Sequence, residues 1–232
     1  MKSVYLSASA QEKNVGIDGV TEETRMQALV KDISARLTAK KLTIYLNNPD
    51  WNLSQIIKDS NYKKPNLHIA FHSNSSGKVS GGTGIETWCY GTATDSAKFG
   101  RKLQDAVVAV LGLPDRGIKD ATIARNIGEV LNTSATAVLI ELFFHDNARD
   151  VTRFNERRES LIEAIVKVIC EWFGIESTAP VVTPNKVSIS IGAAMLEGVM
   201  INEVVYAPVR SMLEQLRWTV AWDDANKRVI IK

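Results

Sequence analysis

The sequence predicts an α/β fold: a mostly parallel twisted sheet flanked by helices, followed by a small C-terminal α+β module of ββαββ type. Three observations carry this. Short apolar runs alternate with longer segments of helical periodicity through the first 175 residues, the pattern of repeated strand–helix units. The run Ala137-Val138-Leu139-Ile140-Glu141-Leu142-Phe143-Phe144 is nearly all apolar, the mark of a strand buried on both faces. From Ile175 to Lys186 the periodicity stops, and Pro180 and Pro184 stand among Ser, Thr and Asn, which reads as a linker. The expected boundaries are a first domain over 1–175, a linker over 176–186 and a small domain over 187–232.

Val4-Tyr5-Leu6 is the first strand, and a polar loop follows from Ser7 to Val20. A helix is expected from Thr21, an acceptable N-cap, with Glu22 and Glu23 suited to the positive end of its dipole. Met26, Leu29, Val30, Ile33 and Leu37 recur at helical spacing. Glu23 lies three residues before Met26 and seven before Val30, which places it on the inward face; Glu22 is expected to point into solvent. Leu42 to Leu46 reads as a strand, Asn47-Asn48-Pro49-Asp50 as a turn, and Leu53 to Asn61 as a helix.

The stretch Asn66 to His72 is a buried strand that ends in a small, polar loop running to Gly84. Ile85 to Tyr90 is the next strand and Thr94 to Leu113 a helix with Phe99, Leu103, Val107 and Leu111 apolar. The segment from Pro114 to Asp120 reads as a loop, Ala121 to Ala124 as a short strand, and Ile127 to Asn132 carries no clear pattern. After the run ending at Phe144, a long helix is expected from about Asp150 to Phe173. In the small module Val187 to Ile191 and Gly198 to Ile201 read as strands, Pro208 opens a short helix, and Thr219-Val220-Ala221-Trp222 with Arg228-Val229-Ile230-Ile231 reads as a hairpin.

Hydrophobic residues at 45% and charged residues at 23% are ordinary for a soluble globular protein. A net charge of +2 gives no basis for nucleic-acid binding. Cys89 and Cys170 lie on separate predicted elements without metal-type spacing and read as reduced core thiols. No apolar stretch is long enough to span a membrane. The amino terminus runs straight into a strand without an apolar signal region, so synthesis in the cytoplasm without a signal peptide is expected.

Three residues then stand together. Glu23 opens a helix on its inward face, His72 ends a strand at the sheet's carboxyl edge, where ligands bind in open α/β sheets, and Glu141 interrupts an apolar strand. A buried carboxylate is costly unless it is paired or bound to a cation. A zinc site needs imidazole and carboxylate ligands with one open position, and a nearby carboxylate to take a proton from water. Glu23 and His72 suit the ligand role, and Glu141 suits the base, since its apolar flanks raise its pKa. The competing reading makes Glu141 a buried partner of a Lys or Arg.

In order, the helix-borne Glu, Leu67-His68-Ile69-Ala70-Phe71-His72-Ser73-Asn74, Gly84-Ile85-Glu86, Arg116-Gly117-Ile118-Lys119 and Ala137-Val138-Leu139-Ile140-Glu141 resemble the zinc-dependent N-acetylmuramoyl-L-alanine amidases of the amidase-3 type over residues 3–174. The resemblance implies cleavage of the amide between the lactyl group of N-acetylmuramic acid and the L-alanine of the stem peptide in peptidoglycan. It implies Zn2+ as cofactor, Glu23 and His72 as its ligands and Glu141 as the catalytic carboxylate. In the enzyme reading Asn74 and the loop glycines position the muropeptide, and Arg116 and Lys119 either hold stem-peptide carboxylates or lactyl oxygens or are solvated loop charges.

The sequence departs from this family in its first loop, Ser7 to Asn14, which lacks the His that usually supplies the first zinc ligand. Gln11 or Glu12 offers an oxygen instead, with Gln11 the preferred of the two, and a weaker zinc site is then expected. His68 is expected to have a core role, and His145 could reach the mouth of the site. The C-terminal module resembles the copper amine oxidase N-terminal-like domain, through Ile201 to Arg210, Leu213 to Leu216 and Val220 to Asp223. It holds no His or Cys, so no copper is expected, and wall attachment or protein contact is its implied role. The expected place of action is the bacterial cell wall, reached by release or secretion, as for an endolysin freed through a membrane hole. The alternative is a catalytically inactive, amidase-like wall-binding protein.

Overall fold

A computed structural model describes residues 2–175 in full and, beyond them, the strand backbones at 185–191, 194–201, 204–206, 220–223 and 228–231. The chain divides into two compact units, Met1–Ser177 and Thr178–Lys232.

The first unit alternates strands and helices. Its elements are β1 (Ser3–Ala8), α1 (Glu22–Ala39), β2 (Thr43–Leu46), α2 (Leu53–Lys63), β3 (Leu67–Asn74) and β4 (Ile85–Cys89). They continue with α3 (Asp95–Leu111), β5 (Asp115–Asp120), α4 (Gly128–Leu131), β6 (Thr136–Phe144) and α5 (Ala148–Trp172). The six strands form one sheet in the order β2-β1-β3-β6-β4-β5. All neighbouring pairs are parallel except β4 with β6. Long crossovers through helices leave β1, β3 and β6 parallel and side by side, so their carboxyl ends open at one edge.

The longer helices begin where side chains supply hydrogen bonds to otherwise unpaired backbone amides. Thr21 accepts from Thr24 N in α1 and Thr94 from Ala97 N in α3. Asn52 and Gln55 form a reciprocal capping box on α2.

Strand periodicity divides the buried residues between the two faces of the sheet. Leu67, Ile69 and Phe71 of β3 and Val138, Ile140 and Leu142 of β6 join the large core beneath α1, α3 and α5, together with Met26, Phe99, Phe154 and Leu161. Gly100 lets α3 approach this face closely, since a Cβ there would lie 2.3 Å from Cys89 Sγ. The intervening residues Ala70, Trp88 and Leu139 face a smaller cluster with Ala121, Ile127 and Val130. His68, His72, Glu86 and Glu141 alternate with them on the same strands.

Two expectations are corrected. The strand placed at Ala121 to Ala124 lies instead at Asp115–Asp120, in the segment read as a loop. As an edge strand paired only with β4 it is exposed to half-buried and has no apolar alternation to read. The patternless stretch around Ile127 holds the single-turn helix α4. Both cysteines are free and buried, and among the described residues no helix is long and apolar enough to cross a membrane.

In the second unit, β7 (Asn185–Ile191), β8 (Ala194–Ile201) and β9 (Val204–Tyr206) form an antiparallel three-stranded sheet. β10 (Val220–Asp223) and β11 (Arg228–Ile231) form a separate antiparallel pair. The short helix expected from Pro208 lies outside the described residues.

Candidate active site

Cross-strand register builds one row of polar residues. His72 on β3 lies opposite Glu141 on β6, and Glu141 opposite Glu86 on β4. Residues directly opposite share a face, so an imidazole and two carboxylates stand side by side near the open edge of the sheet.

The first turn of α1 adds a third carboxylate, that of Glu22 and not Glu23. Glu22 is 1% exposed, and its Oε1 lies 2.9 Å from His72 Nδ1. The same oxygen accepts from Ser73 N at 3.3 Å, while Asn14 Nδ2 donates to Oε2 at 2.8 Å. Glu23 is turned aside and accepts from Gln27 Nε2 at 2.6 Å. The expectation that Glu23 faces inward and Glu22 outward is therefore reversed. The stripe from Met26 to Leu37 is centred close to Met26; at 100° per residue Glu22 falls about 40° from that centre and Glu23 about 60°.

Behind His72 lies a second buried carboxylate couple. Glu129 of α4 places Oε2 2.8 Å from His68 Nε2 and Oε1 3.9 Å from His72 Nε2. His68 is fully buried, stacks on Tyr5 with ring centroids 5.1 Å apart, and meets Ser60 Oγ at Nδ1 at 2.9 Å. The expected core role of His68 is what its burial and partners describe.

The remaining candidates occupy the rim. Gln11 is exposed, with Nε2 3.5 Å from His72 Nδ1 and Oε1 accepting from Asn14 Nδ2 at 2.7 Å. Glu12 is exposed on the same loop. Asn74 donates to Glu86 Oε1 at 3.2 Å, and Arg116 Nε donates to Glu86 Oε2 at 2.7 Å with its guanidinium 5.0 Å from the Phe144 ring centroid. Lys119 is half-buried on β5 opposite Trp88, one step back from the polar row. His145 is buried, with Nδ1 3.0 Å from Ser73 Oγ and 4.0 Å from Glu22 Oε2.

The electrostatics follow from this crowding. Burial opposes charging His72, yet the facing carboxylates of Glu129 and Glu22 and the charge of Glu141 push its pKa up to about 10. Burial would raise Glu22, but the hydrogen bond and charge of His72, with Asn14 and Ser9, hold it below the ordinary range. Burial would likewise raise Glu129, but the imidazoles of His68 and His72 hold it far below. Glu141 goes the other way: burial lifts it to about 7, the charges of Glu22 and Glu86 add to this, and His72 and Arg125 oppose it. Its Oε2 is buried without a hydrogen-bond partner.

Such a cluster fits a cation. Glu22 and Glu129 flank the His72 imidazole, Glu141 lies opposite it on β6 with a buried Oε2 that has no partner, and Glu86 is buried beyond Glu141. Among the described residues no three His, Cys, Asp or Glu side chains converge as a ready metal cage. The nearest donor set is Glu22 Oε1 and His72 Nδ1 with the Gln11 amide, whose oxygen must turn from Asn14 to contribute.

The domain is a mostly parallel α/β sheet that gathers an imidazole and buried carboxylates near its strand ends, and its family match places it among hydrolases. The chain belongs to the N-acetylmuramoyl-L-alanine amidase family, Amidase_3, which matches residues 8–171. It is similar to the catalytic domain of CwlV, an N-acetylmuramoyl-L-alanine amidase from Bacillus (Paenibacillus) polymyxa var. colistinus, with 27% identity and a TM-score of 0.67 over 76% of this chain and 100% of that one. The N-acetylmuramoyl-L-alanine amidase from Clostridium difficile 630 shares the fold at 19% identity and a TM-score of 0.65, over 75% of this chain and 98% of that one. A Clostridium perfringens (strain 13 / Type A) protein, CPE1502, is 24% identical over 169 residues, which are 66% of this chain and 47% of that protein. The chain thus spans about half the length of that relative.

Proposed function

We propose that this chain is a zinc-dependent peptidoglycan amidase that cleaves the amide between the lactyl group of N-acetylmuramic acid and the L-alanine of the stem peptide. One observation carries the reading: Glu22 Oε1 meets His72 Nδ1 at 2.9 Å beside a Glu141 whose buried Oε2 has no partner. Family membership over residues 8–171 supports the substrate class.

Glu22 and His72 would hold the ion, with the Gln11 amide as third donor once its oxygen is turned over. When bound, zinc supplies Lewis-acid polarisation of the scissile carbonyl and acidifies water. Glu141 then takes the proton from the attacking water at Oε2 and returns it to the departing amine. Its position next to His72 in the strand register sets that reach. Asn74 and Arg116, both engaged by Glu86, line the approach, and Arg116 and Lys119 offer positive charge to substrate carboxylates. The C-terminal unit is assigned to wall attachment or protein contact, and the place of action to the bacterial cell wall, reached by release or secretion.

The test pairs elemental analysis with release of free amino groups from purified peptidoglycan. The wild type should hold about one zinc per chain. Glu141→Gln should keep the metal and lose activity by about 10²–10⁴-fold. No metal after incubation with zinc, together with no release, would sink the reading and leave a wall-binding protein on an amidase scaffold.

A further inference from the structure

Glu129 and His68 are buried, ionisable and unused by the reaction described above. The Glu129 carboxylate is 4% exposed and His68 is fully buried, on the sheet face with the smaller apolar cluster. Burying such groups is expensive, and an apolar pair of the same shape would pack there at less cost. What they add is direction. Ser60 Oγ stands 2.9 Å from His68 Nδ1, His68 Nε2 is 2.8 Å from Glu129 Oε2, and Glu129 Oε1 then faces His72 Nε2 at 3.9 Å. The series of close contacts thus ends at Glu129, whose other oxygen stands beside the far nitrogen of His72 at charge-pairing rather than hydrogen-bond distance. The near nitrogen, Nδ1, is the one turned to Glu22 Oε1 at 2.9 Å and to the Gln11 amide at 3.5 Å.

We propose that Glu129, locked in place by His68 and Ser60, is a positioning residue for His72: its carboxylate faces Nε2 and favours the proton there when a metal displaces the proton on Nδ1. This rests on the reading of Glu22 and His72 as metal ligands. Histidine ligands commonly have a carboxylate, carbonyl or water at the second nitrogen, which fixes both the tautomer and the ring orientation. This matters more where the first loop offers an amide in place of an imidazole, since two firm donors then carry most of the affinity. α4 is a single turn, and it places Glu129 against His68 and His72 of β3.

The experiment reads zinc affinity and the His72 tautomer in the full chain. Zinc binding is measured by competition with a chromophoric chelator for the wild type, Glu129→Gln and Glu23→Gln. Glu129→Gln, which keeps the shape of the side chain, should lose about 10–100-fold in affinity, while Glu23→Gln stays at the wild-type value. Long-range ¹H–¹⁵N spectra of the zinc-loaded wild type should place the proton of His72 on Nε2 and the metal on Nδ1. This second measurement needs no variant, so it stands if Glu129→Gln does not fold. Zinc bound through Nε2, or an affinity in folded Glu129→Gln within about twofold of wild type, overturns the positioning role and leaves the metal site intact. A wild type that takes up no zinc overturns the metal site and this role with it.

Discussion

The two faces of the central sheet are built from the same strands and do opposite things. β3 sends Leu67, Ile69 and Phe71 to the large core under α1, α3 and α5, and sends His68, Ala70 and His72 to the other side. β6 does the same with Val138 and Ile140 against Leu139 and Glu141. One face therefore excludes water with interlocking apolar side chains, while the other holds ionisable groups in near-complete burial. Each unpaired charge there costs free energy, and only a well-packed opposite face can offset it. The difference shows how a period of two along a strand separates stability from chemistry without separating them in the chain.

That separation predicts where a substitution registers. The largest effect on folding should come from Phe154→Ala, on the apolar side. Phe154 is 1% exposed and packs on Phe143 with ring centroids 4.6 Å apart. Its removal should cost about 3–5 kcal/mol, read as a fall in the denaturant midpoint at unchanged slope. Zinc content per folded chain should not change. A loss of metal in Phe154→Ala chains that remain folded would show that the two faces are coupled.

A smaller and more local effect separates neighbours on α1. Glu22→Ala should lower zinc affinity by at least about 100-fold, and Glu23→Ala should leave it unchanged, since only Glu22 reaches His72. Equal effects from the two would break the assignment of the helix face, and with it the site.

This pair also marks what was legible in the sequence. The α/β class, the buried β6 strand and the placing of α1, α2, α3 and α5 followed from apolar periodicity, which the core enforces. The polar face left weaker traces. Glu22 was readable, because the centre of the stripe from Met26 to Leu37 passes closer to it than to Glu23. Counting back from single residues picked the wrong neighbour. Glu86 sits in an alternating strand, where one carboxylate looks like an outward polar residue; its burial comes from β5 and Arg116. Glu129 had no signal at all. It lies in a stretch without periodicity, and its burial comes from tertiary packing against His68. The edge strand β5 was missed because it is exposed to half-buried and shows no apolar alternation, with only Ile118 packed against the large core.

The smallest effect tests whether the site depends on the helix that carries it. Thr21 Oγ1 accepts from Thr24 N at 3.2 Å and caps α1 directly before Glu22. Thr21→Ala should cost about 1 kcal/mol, a fall of about 2–4 °C in melting temperature for a domain of this size. Glu22 has a second anchor, because its N–H donates to Asn14 O at 2.8 Å and Asn14 Nδ2 holds its carboxylate. The first loop, more than the cap, then fixes the Glu22 carboxylate. Zinc affinity in Thr21→Ala should stay within about threefold of wild type, as expected when two contributions are nearly independent. In Asn14→Ala the pattern should invert, with weakened zinc binding for the loss of one partly buried hydrogen-bonding side chain. If Thr21→Ala instead loses metal in step with stability, the carboxylate is held by the helix start, and the polar face draws its geometry from the fold of α1 rather than from the loop that lacks the usual histidine.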